Sequence, residues 1–575
     1  MSTSQRDPLV LGPLLRFVGE HNASIWVETA DAATVSVRAD GLTWSAPTFR
    51  VEEHHYALVL LDELEPGRTY DYEVLIGDEP VWPLPDSPFP ASSIATLDHA
   101  RPTTLAFGSC RTSVPHDAEH HRSHGVDALR TMALSLAKGE SSRPHALALL
   151  GDQVYADETN PQMHDFIAAR RDIDEPPYTE IKDYAEYAEL YRLAWSEPAI
   201  RWVLSCVPSA MIFDDHDIRD DWNTSWSWHQ EMNATPWWHE RLIAGLCSYW
   251  VYQHIGNLAP EELAADEIWS LLDGAGPGEV DLTHELRSLV ARVDRDPEAY
   301  RWSYTRALGR SRLIMLDSRA ARVLEPHRRS MLDDVELAWL DEKMTGDLSH
   351  LFIGTSLPFL LPPGLHDAEA ISESLAGPNR SGPVRRASEL VRQTVDLEHW
   401  GAFQSGFVEV FDLVMSVARG ERGEAPASIT FLSGDVHNSY VAEVSDPAAQ
   451  GSHSRIVQAV CSPIRNPMPR GVRVLMSQMT KSLVRPMRWL AQRTTGVEDP
   501  QHPWRVTDGP WFDNNLAYAE VDDDEGGGMT LRWVTGDAVA GGEPVLRTVA
   551  TIHMEGLAGA DRSRPPQEHV GGIPQ

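Results

Sequence analysis

Long apolar runs are missing from this chain. No stretch approaches the ~18 consecutive apolar residues that a bilayer crossing requires, so no membrane span is expected. Met1 to Val18 lacks a basic segment followed by a long apolar one, and Arg170-Arg171 lie too deep for a twin-arginine export signal. Cysteine is scarce. Cys110, Cys206, Cys247 and Cys461 are far apart and show no C-x-x-C spacing, so neither a disulfide framework nor a thiolate zinc site is indicated. These absences together predict a cytoplasmic protein. Positive charge is also in deficit: Lys+Arg number 49 against 85 Asp+Glu, a net charge of −36. Such a field repels nucleic acid and anionic membrane surfaces, and it repels anionic substrates unless bound metals reverse the local potential. No G-x-x-x-x-G-K-S/T motif and no internal repeat occur, which argues against a nucleotide-driven motor.

What is present is globular: 42% hydrophobic and 23% charged residues. The 575 residues exceed the ~250–300 that one core supports, so two domains are expected. Residues 1–100 read as an all-β module, with short β-prone segments at Ser24–Glu28, Val35–Arg38, Tyr56–Leu60 and Tyr70–Leu75. The turn from Leu64 to Tyr70 resembles one in fibronectin-type sandwiches, and an immunoglobulin/fibronectin-like sandwich is the expected fold. Pro83, Pro85, Pro88 and Pro90 then suggest a linker. Over 101–560 strands alternate with helices, the pattern of an α/β domain. The Pro- and Gly-rich residues 561–575 read as a disordered tail.

Four apolar strands in the second region each stop at a metal-ligating side chain: Cys110, Asp152, Asp215 and Asp435. Acids gathered along one rim of a sheet would raise one another's pKa and destabilise the fold, and cations remove that problem. Thiolate, phenolate, imidazole and carboxylate around one ion suit a transition metal. A tyrosine, with an ordinary pKa of ~10, ionises near neutrality only beside strong positive charge. We therefore assign Cys110, Asp152, Tyr155 and His437 to a ferric ion. Asp215 and Asp435, with Asp152 as the bridge, offer oxygen alone and suit Ca2+, with Mn2+ or Zn2+ possible at this second position. His216, next to a ligand, is the expected general acid. Arg111 is placed to clamp a phosphate, the alternative being a structural ion pair, and Arg319 is a weaker candidate for the same role.

These blocks resemble those of known phosphatases. Gly151-Asp-Gln-Val-Tyr155 is similar to the Gly-Asp-x-x-Tyr block of purple acid phosphatases. Phe213-Asp-Asp-His-Asp217 resembles the Gly-Asn-His-Glu block of metallophosphoesterases, and Gly434-Asp-Val-His437 resembles their Gly-His-x-His. With Phe107-Gly-Ser-Cys110, the set resembles the alkaline phosphatase D (PhoD-like) family over about residues 8–540. The resemblance implies an α/β, four-layer αββα metallophosphoesterase-like sandwich, a ferric ion with calcium, and phosphomonoesterase and phosphodiesterase activity on small phosphoesters. The alternatives are a phospholipase-like phosphodiesterase on larger esters and a non-catalytic metal-binding scaffold. The chain departs from the family in lacking an export signal. It also lacks the usual second-metal histidine: Gly354-Thr-Ser-Leu-Pro358 stands in its place, with His366 a remote substitute.

Overall fold

In the computed structural model, which describes residues 7–273, 276, 278–325, 327–376, 397–480, 482–495, 500–522 and 527–557, the amino-terminal segments are strands. They are β1 (Leu9–Val18), β2 (Ala23–Thr29), β3 (Thr34–Ala39), β4 (Leu42–Pro47), β5 (Phe49–Val51), β6 (His54–Leu61), β7 (Thr69–Ile76), β8 (Glu79–Trp82) and β9 (Ser93–Ala95). They form two sheets, one containing β1-β2-β6-β5 and the other β4-β3-β7-β8, with β9 on β7. Side chains alternate across a strand, and here the alternation serves two cores. Ile25, Val27 and Val59 face Val37, Tyr72 and Val74 of the second sheet. Trp26, Tyr56 and Leu58 face the other way, into the large domain. The proline-rich stretch is packed down: Phe89 stacks on Trp202, whose Nε1 donates to the Pro90 carbonyl at 2.9 Å.

The large domain adds β10 (Thr104–Gly108), β11 (Ala146–Leu150), β12 (Ser209–Ile212) and β13 (Val280–Asp281), the last pairing in parallel with β5 of the first module. Then come β14 (Tyr304–Leu308), β15 (Ser311–Leu316), β16 (His350–Thr355), β17 (Ser428–Ser433), β18 (Ser439–Val444), β19 (Arg455–Val460), β20 (Trp504–Trp511), β21 (Leu516–Val521), β22 (Met529–Asp537) and β23 (Val545–Met554). One sheet has the order β12-β11-β10-β21-β22-β23, the other β14-β15-β16-β17-β19-β18-β20. β10, β11 and β12 run parallel, as do β15, β16, β17 and β19.

Parallel strands covered on both faces are apolar at every position, and β15 shows why. Leu313 and Met315 join the core shared with β10 and β11, while Ile314 and Leu316 belong to a second core that includes Val410 and Val414 of helix Gln404–Ala418. The large domain thus carries two sheets with apolar residues between them and helices on the far face of the second. Among the described residues no helix is long and apolar enough to cross a membrane. The expected tail at 561–575 lies outside the described residues.

Candidate metal centre

The site is set by how four strands end. β10, β11, β12 and β17 release the chain at carboxyl edges of parallel runs, where open α/β sheets present their ligands, and Cys110, Asp152, Asp215 and Asp435 follow within three residues. The first three leave one sheet and Asp435 leaves the other, so the acids line two facing rims instead of the single rim expected. Cys110, Asp152, Asp435 and His437 hold left-handed backbone, with φ of 56°, 51°, 63° and 47°. Non-glycine residues avoid that region, at a cost of ~1–3 kcal/mol each, and such strain clusters at functional sites. Backbone pairing holds it: Cys110 N–H donates to the Gly151 carbonyl at 3.3 Å, Arg111 N–H to that of Asp152 at 3.2 Å, and His437 N–H to that of Asp435 at 2.7 Å. Gly151 has φ 102°, and a Cβ there would lie 2.5 Å from the Cβ of Asp214. Only glycine lets β11 end so close to β12.

Asp152, Asp214, Asp215 and Asp435 bring ligand oxygens within 4.8 Å of one another. Both oxygens of Asp152, Oδ2 of Asp214 and Oδ1 of Asp215 are buried and accept no hydrogen bond. Burial, reinforced by Asp214, Asp215 and Asp217, pushes the Asp152 carboxyl well above the usual range despite His216. Burial does the same to Asp214, against the relief of Arg319. Orphaned acid oxygens packed together out of water are costly, and cations at those oxygens remove the cost. The donor set therefore fits metal ions.

The other expected ligands stand at the flank. The Cys110 thiol lies 3.7 Å from the Asp435 carbonyl and accepts from Ser462 Oγ at 3.3 Å. Burial, then Asp152 and Asp435, push this thiol well up. The Tyr155 hydroxyl accepts from Asn466 Nδ2 at 3.1 Å, and its ring lies 4.7 Å from that of His216. Burial, then Cys110 and Asp152, raise this phenol as well. Neither group ionises here without a nearby cation. His437 is driven down to about 4 by burial, against Asp435 and with His216, so it is a neutral imidazole suited to ligation.

Asp214-Asp-His-Asp217 splits into four tasks. Asp214 accepts from Arg319 Nε and, at 3.0 Å, from Ser356 Oγ. Asp215 keeps Oδ1 in the cluster, with Arg319 Nη2 at 3.2 Å but outside hydrogen-bond geometry, and its Oδ2 accepts from Asp221 N–H at 3.1 Å. His216 Nδ1 meets Asp157 at 2.9 Å. Burial opposes charge on this ring, yet Asp157 and Asp215 hold it protonated well above the ordinary histidine range. Asp217 accepts backbone N–H groups of Asp152 and Asp214, both at 2.9 Å, tying the ends of β11 and β12 together.

The two candidate phosphate clamps, Arg111 and Arg319, are both engaged in ion pairs. Arg111 is buried, with Nε on Asp127 at 2.9 Å and Nη1 on the Ala194 carbonyl at 3.0 Å. It forms the structural ion pair, and a bidentate clamp would need the nitrogens that pair engages. Arg319 is committed to Asp214, Asp215 and Glu398, so it balances the acids of the cluster. His366 packs against Phe407 and Trp504, away from the acids. A further imidazole that reaches the cluster is His399: its Nε2 is 3.0 Å from Asp435 Oδ2 and its Nδ1 is 2.6 Å from Glu369 Oε1. No spacing signal marks His399 or Glu369. His399 lies in the segment Glu398-His-Trp-Gly-Ala-Phe403.

A buried acid cluster with unbonded oxygens at the strand ends of a two-sheet α/β domain is a candidate metal centre. The chain belongs to the PhoD-like phosphatase family, whose model matches residues 118–497. Residues 6–94 match a domain of unknown function, DUF7800. Among solved structures, one described as the structure of PhoD aligns over 97% of this chain and 92% of its own, with TM-score 0.58 and 13% identity, which shows a shared fold. The purple acid phosphatase PPD1 from yellow lupin (Lupinus luteus) seeds aligns over 93% of this chain and 73% of its own, with 9% identity and a TM-score of 0.43. No curated protein matches the chain.

Proposed function

We propose that this protein hydrolyses phosphate monoesters and diesters at two metal ions held by the strand-end cluster. The observation that supports it is Asp152, wholly buried among three other acids with neither oxygen hydrogen-bonded. In this reading Cys110, Asp152, Tyr155 and His437 hold a ferric ion, which suits thiolate and phenolate. Asp152, Asp215 and Asp435 hold calcium, or manganese or zinc, through oxygen alone. Bound cations supply Lewis acidity toward phosphoryl oxygens and lower the pKa of water. His216, fixed by Asp157 through Nδ1, offers Nε2 as the proton donor to the leaving oxygen. His399, held between Glu369 and Asp435, orients that carboxylate. Arg111 steadies the turn at Cys110 through Asp127. The two sheets are read as the inner layers of an αββα sandwich, behind an immunoglobulin/fibronectin-like module. Four unbonded cysteines support a cytoplasmic setting.

The test is turnover of p-nitrophenyl phosphate and its bis ester, alongside elemental analysis. Iron and a second metal are expected, with activity lowered about 10³-fold or more in Asp152→Asn. The protein should be coloured, and Tyr155→Phe should bleach it. Full metal occupancy without turnover of either ester would leave a metal-binding scaffold. Active but colourless, iron-free protein would overturn the ferric assignment.

A further inference from the structure

We propose that the helices Arg470–Thr480 and Val484–Thr495 dock this protein onto anionic lipid surfaces, beside the Asp435 loop. Between Arg470 and Arg493 the sequence carries six Lys and Arg and no acid, within a chain of net charge −36. The same stretch holds the two most exposed large apolar side chains among the described residues, Val474 at 63% and Trp489 at 60%. Leu475 and Val472 are exposed as well. A helix on a globular surface turns its apolar stripe inward and its polar face to water. Here the inward contacts are supplied by Met476, Met479, Leu483 and Met487, so the outer valines, leucine and tryptophan serve no core. Arg485, Trp489 and Arg493 follow at four-residue intervals on one exposed face, and the Arg493 guanidinium lies 5.7 Å from the Trp489 ring. Basic side chains beside Trp and Leu on a helix surface are what interfacial helices present to headgroups and acyl chains.

The net negative charge does not forbid this. Screening confines a surface charge to ~8 Å at physiological salt, so a leaflet chiefly meets the face nearest to it. Not every arginine is available: Arg488 pairs with Asp367 at 2.9 Å, and Arg473 donates to the Met468 carbonyl at 2.8 Å. Arg470, Arg485 and Arg493 remain on the exposed surface. A second copy of the chain is disfavoured, because a two-fold contact would set this basic face against itself. The location also matters. Val436, between Asp435 and His437, packs against the apolar cluster that Met476 and Met487 cover, so a surface bound by these helices would lie close to the metal centre.

Cosedimentation of the metal-loaded protein with vesicles tests this. The protein is expected to pellet with phosphatidylcholine–phosphatidylglycerol vesicles but not with phosphatidylcholine alone, and to release as salt rises. Each basic residue strengthens binding to an anionic leaflet about fivefold, so Arg485→Glu with Arg493→Glu should weaken partitioning more than about twentyfold. Leu475→Ser with Trp489→Ser should weaken it too. Both double variants should keep the wild-type melting temperature and soluble-ester turnover. Asp152→Asn should pellet like wild type, which separates failure here from failure of the catalytic reading. Absence of binding to anionic vesicles, or variants that pellet as wild type does, would overturn the proposal. So would a wild-type dimer that both double variants convert to monomer, since that face would then bind a second copy.

Discussion

Replacing Asp152 with Asn removes one charge from four crowded acids and also removes the bridge between the two proposed ions. Turnover should therefore vanish while the metal-free protein melts higher than metal-free wild type, by ~2–5 °C in a calorimetric scan with chelator. A variant that lost activity and also melted lower in chelator would show that Asp152 serves the fold. Gly151→Ala has the opposite character: it forces a left-handed residue and drives a methyl into Asp214. It should cost about 2–4 kcal/mol in urea unfolding and cut metal uptake. At this scale the sequence was informative where a ligand ends an apolar run, as Cys110, Asp152 and Asp435 do. It gave no role to Asp214, Glu369, His399 or Asn466. Asp214 is masked by its neighbour Asp215, and the other three reach the site only through chain reversals that no local spacing encodes.

Elements were legible to the extent that packing made them apolar. β10, β11, β12 and β17 are buried along most of their length and are legible as strands from their apolar runs. β14 and β20 are not. They are the outermost strands of their sheet, β14 carries the buried Arg306, and β20 includes Gly509-Pro510, which reads as a turn. Helix Asp334–Lys343 carries a titrating group into the interior. Glu336 is buried with Oε1 unpartnered, and burial, then Asp317, push it up to about 8. An acid raised in the folded state binds its proton more tightly there than in the unfolded chain. Stability from Glu336 is thus present below pH ~4.5 and lost as pH rises toward 8. Wild-type melting temperature should fall relative to Glu336→Gln between pH 5 and pH 8, and parallel curves would refute the assignment.

The molecule as a whole is less modular than its proline-rich stretch suggested. Arg16 of β1 donates to the carbonyls of Tyr252 and Gln253 in the π-helical turn Trp250–His254, both at 2.6 Å, and to Asn257 Oδ1 at 3.0 Å. Arg16→Met strands those buried acceptors and should cost about 3 kcal/mol in global unfolding, with a single transition retained. Two separate transitions would mean that the β module unfolds independently. Charge crowding also acts globally: chelation should lower the melting temperature, and added sodium chloride should recover part of the loss. The acid set straddles a seam, since Asp152 and Asp215 follow strands of one sheet and Asp435 a strand of the other. An ion bound by all three is a clasp across that seam. Held there, it would tie the end of one sheet to the end of the other, and its removal would leave that rim of the domain joined only by the apolar core behind it.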